Sequence, residues 1–268
     1  MERLLYIVPI VLYALLALDH LIPRAVGLWV ARHGRWLAGV GCAVHGLGLV
    51  VSAVINDSGP GFPEALSTAA LGIMLAYTIV VTGKVRALGL LLAPLAVVVL
   101  STAMVVPSHR VLALEQTGAS LWLPIHLGLI FSGLAGFALA FAVGCLYLFV
   151  RARLKAKKLA GLKRFPSLEV LDRIQFRSML FGFAFLTLGI GAGGAWAAAA
   201  FEGGWSLDPK VIFTLVIWAW YGIALQVRLV AGWRGRWSAL FSIIGFAGLV
   251  FSLIGMNFLV SGWHGYGA

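Results

Sequence analysis

Charge is what this chain has least of. Only 11% of its 268 residues are Asp, Glu, Lys or Arg, and just nine are acidic. A soluble domain of this length carries roughly a quarter charged residues, so a single water-exposed globule is excluded. Cysteine is scarce too: there are two. Cys42 and Cys145 both fall inside apolar runs, which argues against an extracellular disulfide and for small buried apolar roles. The period-2 alternation of a membrane β-barrel is missing, and no internal repeat is evident. No nucleophile–base constellation appears, so a self-contained enzyme is disfavoured.

What is present is apolar. Hydrophobic residues make up 62% of the chain and mean hydropathy is +1.01. So much apolar surface cannot be hidden in one core, and lipid must be the solvent for most of it. Windows of about 20 residues predict an all-α polytopic membrane protein with spans near 4–22, 36–55, 64–82, 86–106, 121–150, 178–201, 209–231 and 237–260. The first does not resemble a signal peptide, because Arg3 precedes it and Arg24 follows it. The expectation is one transmembrane domain over residues 1–268, its core at about 36–268, with a basic connection at 151–177. Within that connection, "FPSLEVLDR" predicts a turn into a second short helix with Ser167 as N-cap.

A net charge of +11 would suggest nucleic acid in a soluble protein, but its distribution here points elsewhere. All but Arg3, Arg110 and Lys210 of the 20 basic residues fall on one side of these spans. The positive-inside rule puts that side in the cytoplasm and both termini outside. No nucleic-acid partner is expected; membrane lipid is.

"GIGAGG" at 189–194 matches a dinucleotide fingerprint through Gly189, Gly191 and Gly194. It lies inside an apolar span, where small residues let helices approach, so it reads as packing. "FEGGWSLDPK" at 201–210 is an outside connection, with Asp208 capping a helix that starts at Pro209. Trp122, Trp196, Trp205 and Trp263 map to the outer side, and Trp29, Trp36, Trp233 and Trp237 to the inner side, as two interfacial aromatic belts would give.

The histidines carry the chemistry. His126 lies about a turn below the outer end of its span, and His264 lies just beyond the last span, also outside. Two such imidazoles flanked by aromatics suit the axial positions of a haem iron, with Lys210 or Arg110 meeting the haem carboxylates. The plainer alternative is that His126 bonds a neighbouring carbonyl and His264 belongs to a frayed terminus. Zinc is disfavoured for want of a third ligand. His45, near mid-depth of its span, is a functional candidate by its cost alone. His20 adjoins Asp19, and His33 and His109 are expected in solvated loops.

Four segments, "GFAFLTLGIGAGGAWA", "FEGGWSLDPK", "YGIALQVRLVAGWRGR" and "SGWHGYG", together resemble the cytochrome c assembly family of CcsA and HemX type. The resemblance implies haem held at the outer face and presented to apocytochrome c, alongside other cytochrome c maturation proteins, in a bacterial-type inner or plasma membrane. It makes His126 and His264 the external haem ligands, flanking a segment whose core is Trp205 and Asp208, and matches His45 to an intramembrane histidine. Trp196 and Lys210 join the expected haem surface. The chain departs from the pattern at Gln226, where the family carries histidine, and at Phe201, Glu202 and Leu207, where tryptophan or glycine is usual. The alternative is a HemX-like regulator or assembly factor acting through the 151–177 connection. A transporter of another small molecule is disfavoured, since no matched pair of broken helices is seen.

Overall fold

In the computed structural model the described residues are 2–18, 24–55, 62–81, 83–105, 122–158, 160–162, 165–200 and 209–252. Their regular structure is helical throughout. In chain order the helices are α1 (Glu2–Leu18), α2 (Arg24–Ile55), α3 (Phe62–Val80), α4 (Gly89–Val105), α5 (Trp122–Lys155), α6 (Leu168–Ala200), α7 (Pro209–Val230) and α8 (Arg236–Val250). Among the described residues six apolar segments are long enough to cross a membrane, in α2 to α7, the one at α4 starting at Val85 in a short 3-10 helix. Tyr6–Leu18 and Arg236–Val250 are shorter apolar helices. Large apolar side chains face outward, as on Val105, which is 83% exposed. That is the surface of an integral membrane protein, whose backbone polar groups must be satisfied within each helix.

Three helices, α2, α5 and α6, outrun the apolar windows that predict them. A helix does not end where hydrophobicity ends, but where the backbone finds a cap or a breaker. α2 therefore takes in His33, which is half-buried on a helix and not in a solvated loop. α6 begins at Leu168 and runs unbroken to Ala200, so the expected second short helix is its first turns. The Ser167 hydroxyl accepts the Val170 N–H at 3.4 Å, the predicted N-cap.

The chain divides into two compact units. The first contains α1 to α4. Its core holds Tyr13, Leu66, Met74, Leu92 and Leu100, all fully buried, with His45 among them. The His45 ring is bracketed by hydroxyls: Tyr13 Oη lies 3.3 Å from Nδ1 and Ser67 Oγ 2.9 Å from Nε2. Cys42 accepts weakly from the same tyrosine, Sγ to Oη 3.7 Å. One imidazole thus ties α1, α2 and α3 together, the usual way a buried polar group is kept satisfied. Both cysteines are free thiols.

The second unit contains α5 to α8 and is built on the α5–α6 pair. A β-carbon on Gly136 would stand 2.9 Å from the Cα and N of Gly182, so backbone meets backbone at this crossing. Beside it Phe137 stacks on Tyr221 of α7, with centroids 3.7 Å apart. Gly136→Ala is expected to cost about 1–3 kcal/mol through overpacking. An unchanged thermal unfolding midpoint would show that the pair can separate freely.

The helices of this unit alternate in direction, which gives it two chemically distinct ends. At one end, Asp172 near the start of α6 accepts from Arg228 near the end of α7, 2.7 and 2.9 Å, and from the Gly235 N–H before α8, 2.9 Å. Every described Lys and Arg of the unit except Lys210 belongs to the segments meeting there. His126 lies at the other end.

Candidate functional site

α5 opens with Trp122, Leu123 and Pro124. A proline in the first turn removes an N–H that has no helical partner there anyway. His126 follows within the next turn and is half-buried. Facing it, Gly189, Gly193 and Trp196 recur at i, i+4 and i+7, which places them on one stripe of α6.

His126 Nδ1 lies 2.8 Å from the carbonyl oxygen of Gly189. A carbonyl only accepts, so Nδ1 carries the proton, and the lone pair of the neutral ring sits on Nε2. The Trp196 indole stacks along the imidazole, with centroids 6.5 Å apart and planes 14° from parallel. Gly193 makes room for the ring: a β-carbon there would come within 2.8 Å of both Cε1 and Nδ1. Gly189 does the same for Ile130, whose Cδ1 would be 2.7 Å away. The glycine run therefore packs as expected, through Gly189 and Gly193. A side chain at Gly191 would meet open space.

This arrangement suits a metal ligand. Imidazoles that bind metals are usually fixed by a second hydrogen bond at the other nitrogen, which sets tautomer and orientation. Here the acceptor is main chain, so no side-chain substitution supplies or removes it directly. The carbonyl bond that stood as the plainer reading of His126 is present.

The other predicted site residues distribute as follows. Trp196 stacks on His126 and is only 7% exposed, so it packs inside the unit and is not a lipid-facing belt residue. Lys210 stands in the first turn of α7, half-buried, where its carbonyl accepts the Thr214 hydroxyl at 2.8 Å. His264, Trp205 and Asp208 lie outside the described residues, as do His20, His109, Arg110 and Trp263. His45 belongs to the first unit, with both ring nitrogens in hydrogen bonds. Gln226, at the family's histidine position, is exposed on α7. Among the described residues no group of three or more His, Cys, Asp or Glu is placed to hold a bare metal ion.

Sequence reasoning missed Gly189 and Gly193 as the groups that shape the His126 seat, although their spacing from Trp196 was there to be read. It also missed the Asp172–Arg228 pair, whose members are 56 residues apart.

CcsA, the cytochrome c biogenesis protein of Prochlorococcus marinus strain MIT 9312, is 40% identical over 109 residues, 41% of this chain and 35% of that protein. Its counterpart in Gloeobacter violaceus is 38% identical over 107 residues, 40% of this chain and 32% of that protein. The matched stretch thus spans about a third of the length of these curated relatives. The pattern that defines the cytochrome C assembly protein family matches residues 60–264. That is most of the sequence, and the chain belongs to the cytochrome c assembly family.

Proposed function

We propose that this protein acts in cytochrome c biogenesis by holding haem at the extracytoplasmic face of the membrane, with His126 and His264 as axial ligands. The observation that carries the reading is the His126 seat: Nδ1 committed to the Gly189 carbonyl at 2.8 Å, and a tryptophan laid along the ring. Sidedness follows from charge. The basic end of the second unit belongs in the cytoplasm by the positive-inside rule, which puts the opposite end, with His126, outside.

When bound, haem would supply an iron that accepts imidazole nitrogen. The chain's own residues do the rest. Trp196 extends the flat aromatic surface beside His126 and restricts ring rotation. Trp205 and Asp208 belong to the sequence between α6 and α7, and Lys210 stands in the first turn of α7 with a charge suited to a haem carboxylate. At His45, iron would have to displace the Tyr13 or Ser67 hydroxyl, which favours a structural role for that ring. Apocytochrome c and other maturation proteins are the partners this role requires.

Haemin titration of the purified protein, followed by absorbance, tests the reading. Wild type develops a Soret band. Gly193→Ala pushes a methyl group against Cε1 and Nδ1, and should weaken haem retention by about tenfold, the effect of disturbing a ligand's supporting shell. A wild-type protein that develops no saturable Soret band overturns it.

A further inference from the structure

The turn between α7 and α8 carries "GWRGR", residues 231–236 with the preceding alanine. Gly232 and Gly235 have φ of 69° and 64°, the left-handed region that L side chains rarely adopt. This lets the chain reverse within a few residues, and the Trp233 N–H reaches back to the Val227 carbonyl at 3.4 Å. The turn is fixed from the side by Asp172, through Gly235 N–H and Arg228.

On this held turn two indoles pack together. Trp233 and Trp237 have centroids 5.2 Å apart, and the Arg236 guanidinium lies over the Trp237 ring at 5.6 Å. They remain 44% and 49% exposed, and Arg234 and Arg236 are exposed beside them. The acids of this end are already engaged, Asp172 with Arg228 and Glu169 with Arg173. Among the described residues, no carboxylate is within ion-pair distance of Arg234 or Arg236.

Position decides what such a patch meets. It sits directly after one apolar helix, Pro209–Val230, and before another, Arg236–Val250, which is the depth of lipid headgroups. Indoles favour that depth because one edge is apolar and the other wet. Guanidinium matches a phosphate through paired N–H donors, and positive side chains at the surface are drawn to anionic lipid. We propose that the Gly232–Trp237 turn is a binding site for an anionic phospholipid, Arg234 and Arg236 taking the headgroup phosphate and the Trp233–Trp237 pair the glycerol region.

Native mass spectrometry of the detergent-purified protein, titrated with phosphatidylglycerol or phosphatidylcholine, reads this directly. Wild type should retain phosphatidylglycerol in preference. The double variant Arg234→Gln/Arg236→Gln should retain about tenfold less, the loss of charge-assisted bonds to one phosphate. Arg151→Gln/Lys155→Gln removes the same charge from the end of α5 and should retain as wild type does. Millimolar inorganic phosphate should leave the bound lipid in place. The proposal is overturned if the turn variant retains lipid as wild type does, if the α5 variant loses as much, or if phosphate displaces the lipid.

Discussion

Replacing His126 with alanine should reduce haem retention by more than about 100-fold, beyond the 10–100-fold expected when only a ligand's support is altered. The Soret band of the purified protein reports it. The reasoning is geometric: the Gly189 carbonyl claims Nδ1, so Nε2 is the one ring nitrogen with a lone pair to give, and alanine supplies none. The structural cost should be small, because His126 is half-buried and the Gly189 carbonyl keeps its own helix as partner. Haem loss with an unchanged unfolding midpoint is therefore the signature of a ligand. Free imidazole, diffusing into the space left against Gly193 and Trp196, should restore part of the band. If His126→Ala binds haemin as wild type does, His126 is a helix-packing residue and nothing more.

Asp172→Ala should be the most destabilising single change at the opposite end, by about 3–5 kcal/mol, the range found when one partner of a buried ion pair is removed. Arg228 is 7% exposed and depends on Asp172 for two of its contacts, 2.7 and 2.9 Å. What remains to it is the backbone carbonyl of residue 172 at 3.5 Å, the Ser238 hydroxyl at 3.0 Å and the face of Phe176 at 4.6 Å, too little to replace a carboxylate. The Gly235 N–H also loses its acceptor, which frees the turn before α8. Asp172→Asn keeps an acceptor oxygen and should fall between wild type and alanine. Asp172→Ala/Arg228→Leu should recover part of the loss, because taking out both charges leaves neither one buried alone. Thermal unfolding in detergent measures all three. An Asp172→Ala protein as stable as wild type would mean that water already solvates Arg228. Since the pair lies at the end away from His126, the Soret position should not move.

Much of the fold was legible in the sequence because lipid imposes a simple rule: an apolar run must become a helix. The Ser167 cap was legible for a similar reason, being local. Helix lengths were less so, since α2 and α6 continue through polar turns that hydropathy does not register as helix. The site divides along the same line. His126 announced itself as an ionisable group near a span end, whereas its tautomer depends on a carbonyl 63 residues away. Trp196 read as one of an aromatic belt, and only the packing of α5 on α6 shows it turned inward. His45 looked like a functional residue because of its depth. Its hydroxyl partners come from α1 and α3, and no periodicity in α2 reveals them. Arg228 was counted as a topology signal, as a charge near a helix end ordinarily is, and its acid lay in a segment read as a separate short helix.

The central claim is that the His126 imidazole ligates haem iron. The electron paramagnetic resonance spectrum of ferric haem on the purified protein tests it most directly. The account predicts a low-spin signal of the kind two imidazoles produce in wild type, converted to high spin in His126→Ala. The same low-spin signal in both proteins would contradict it.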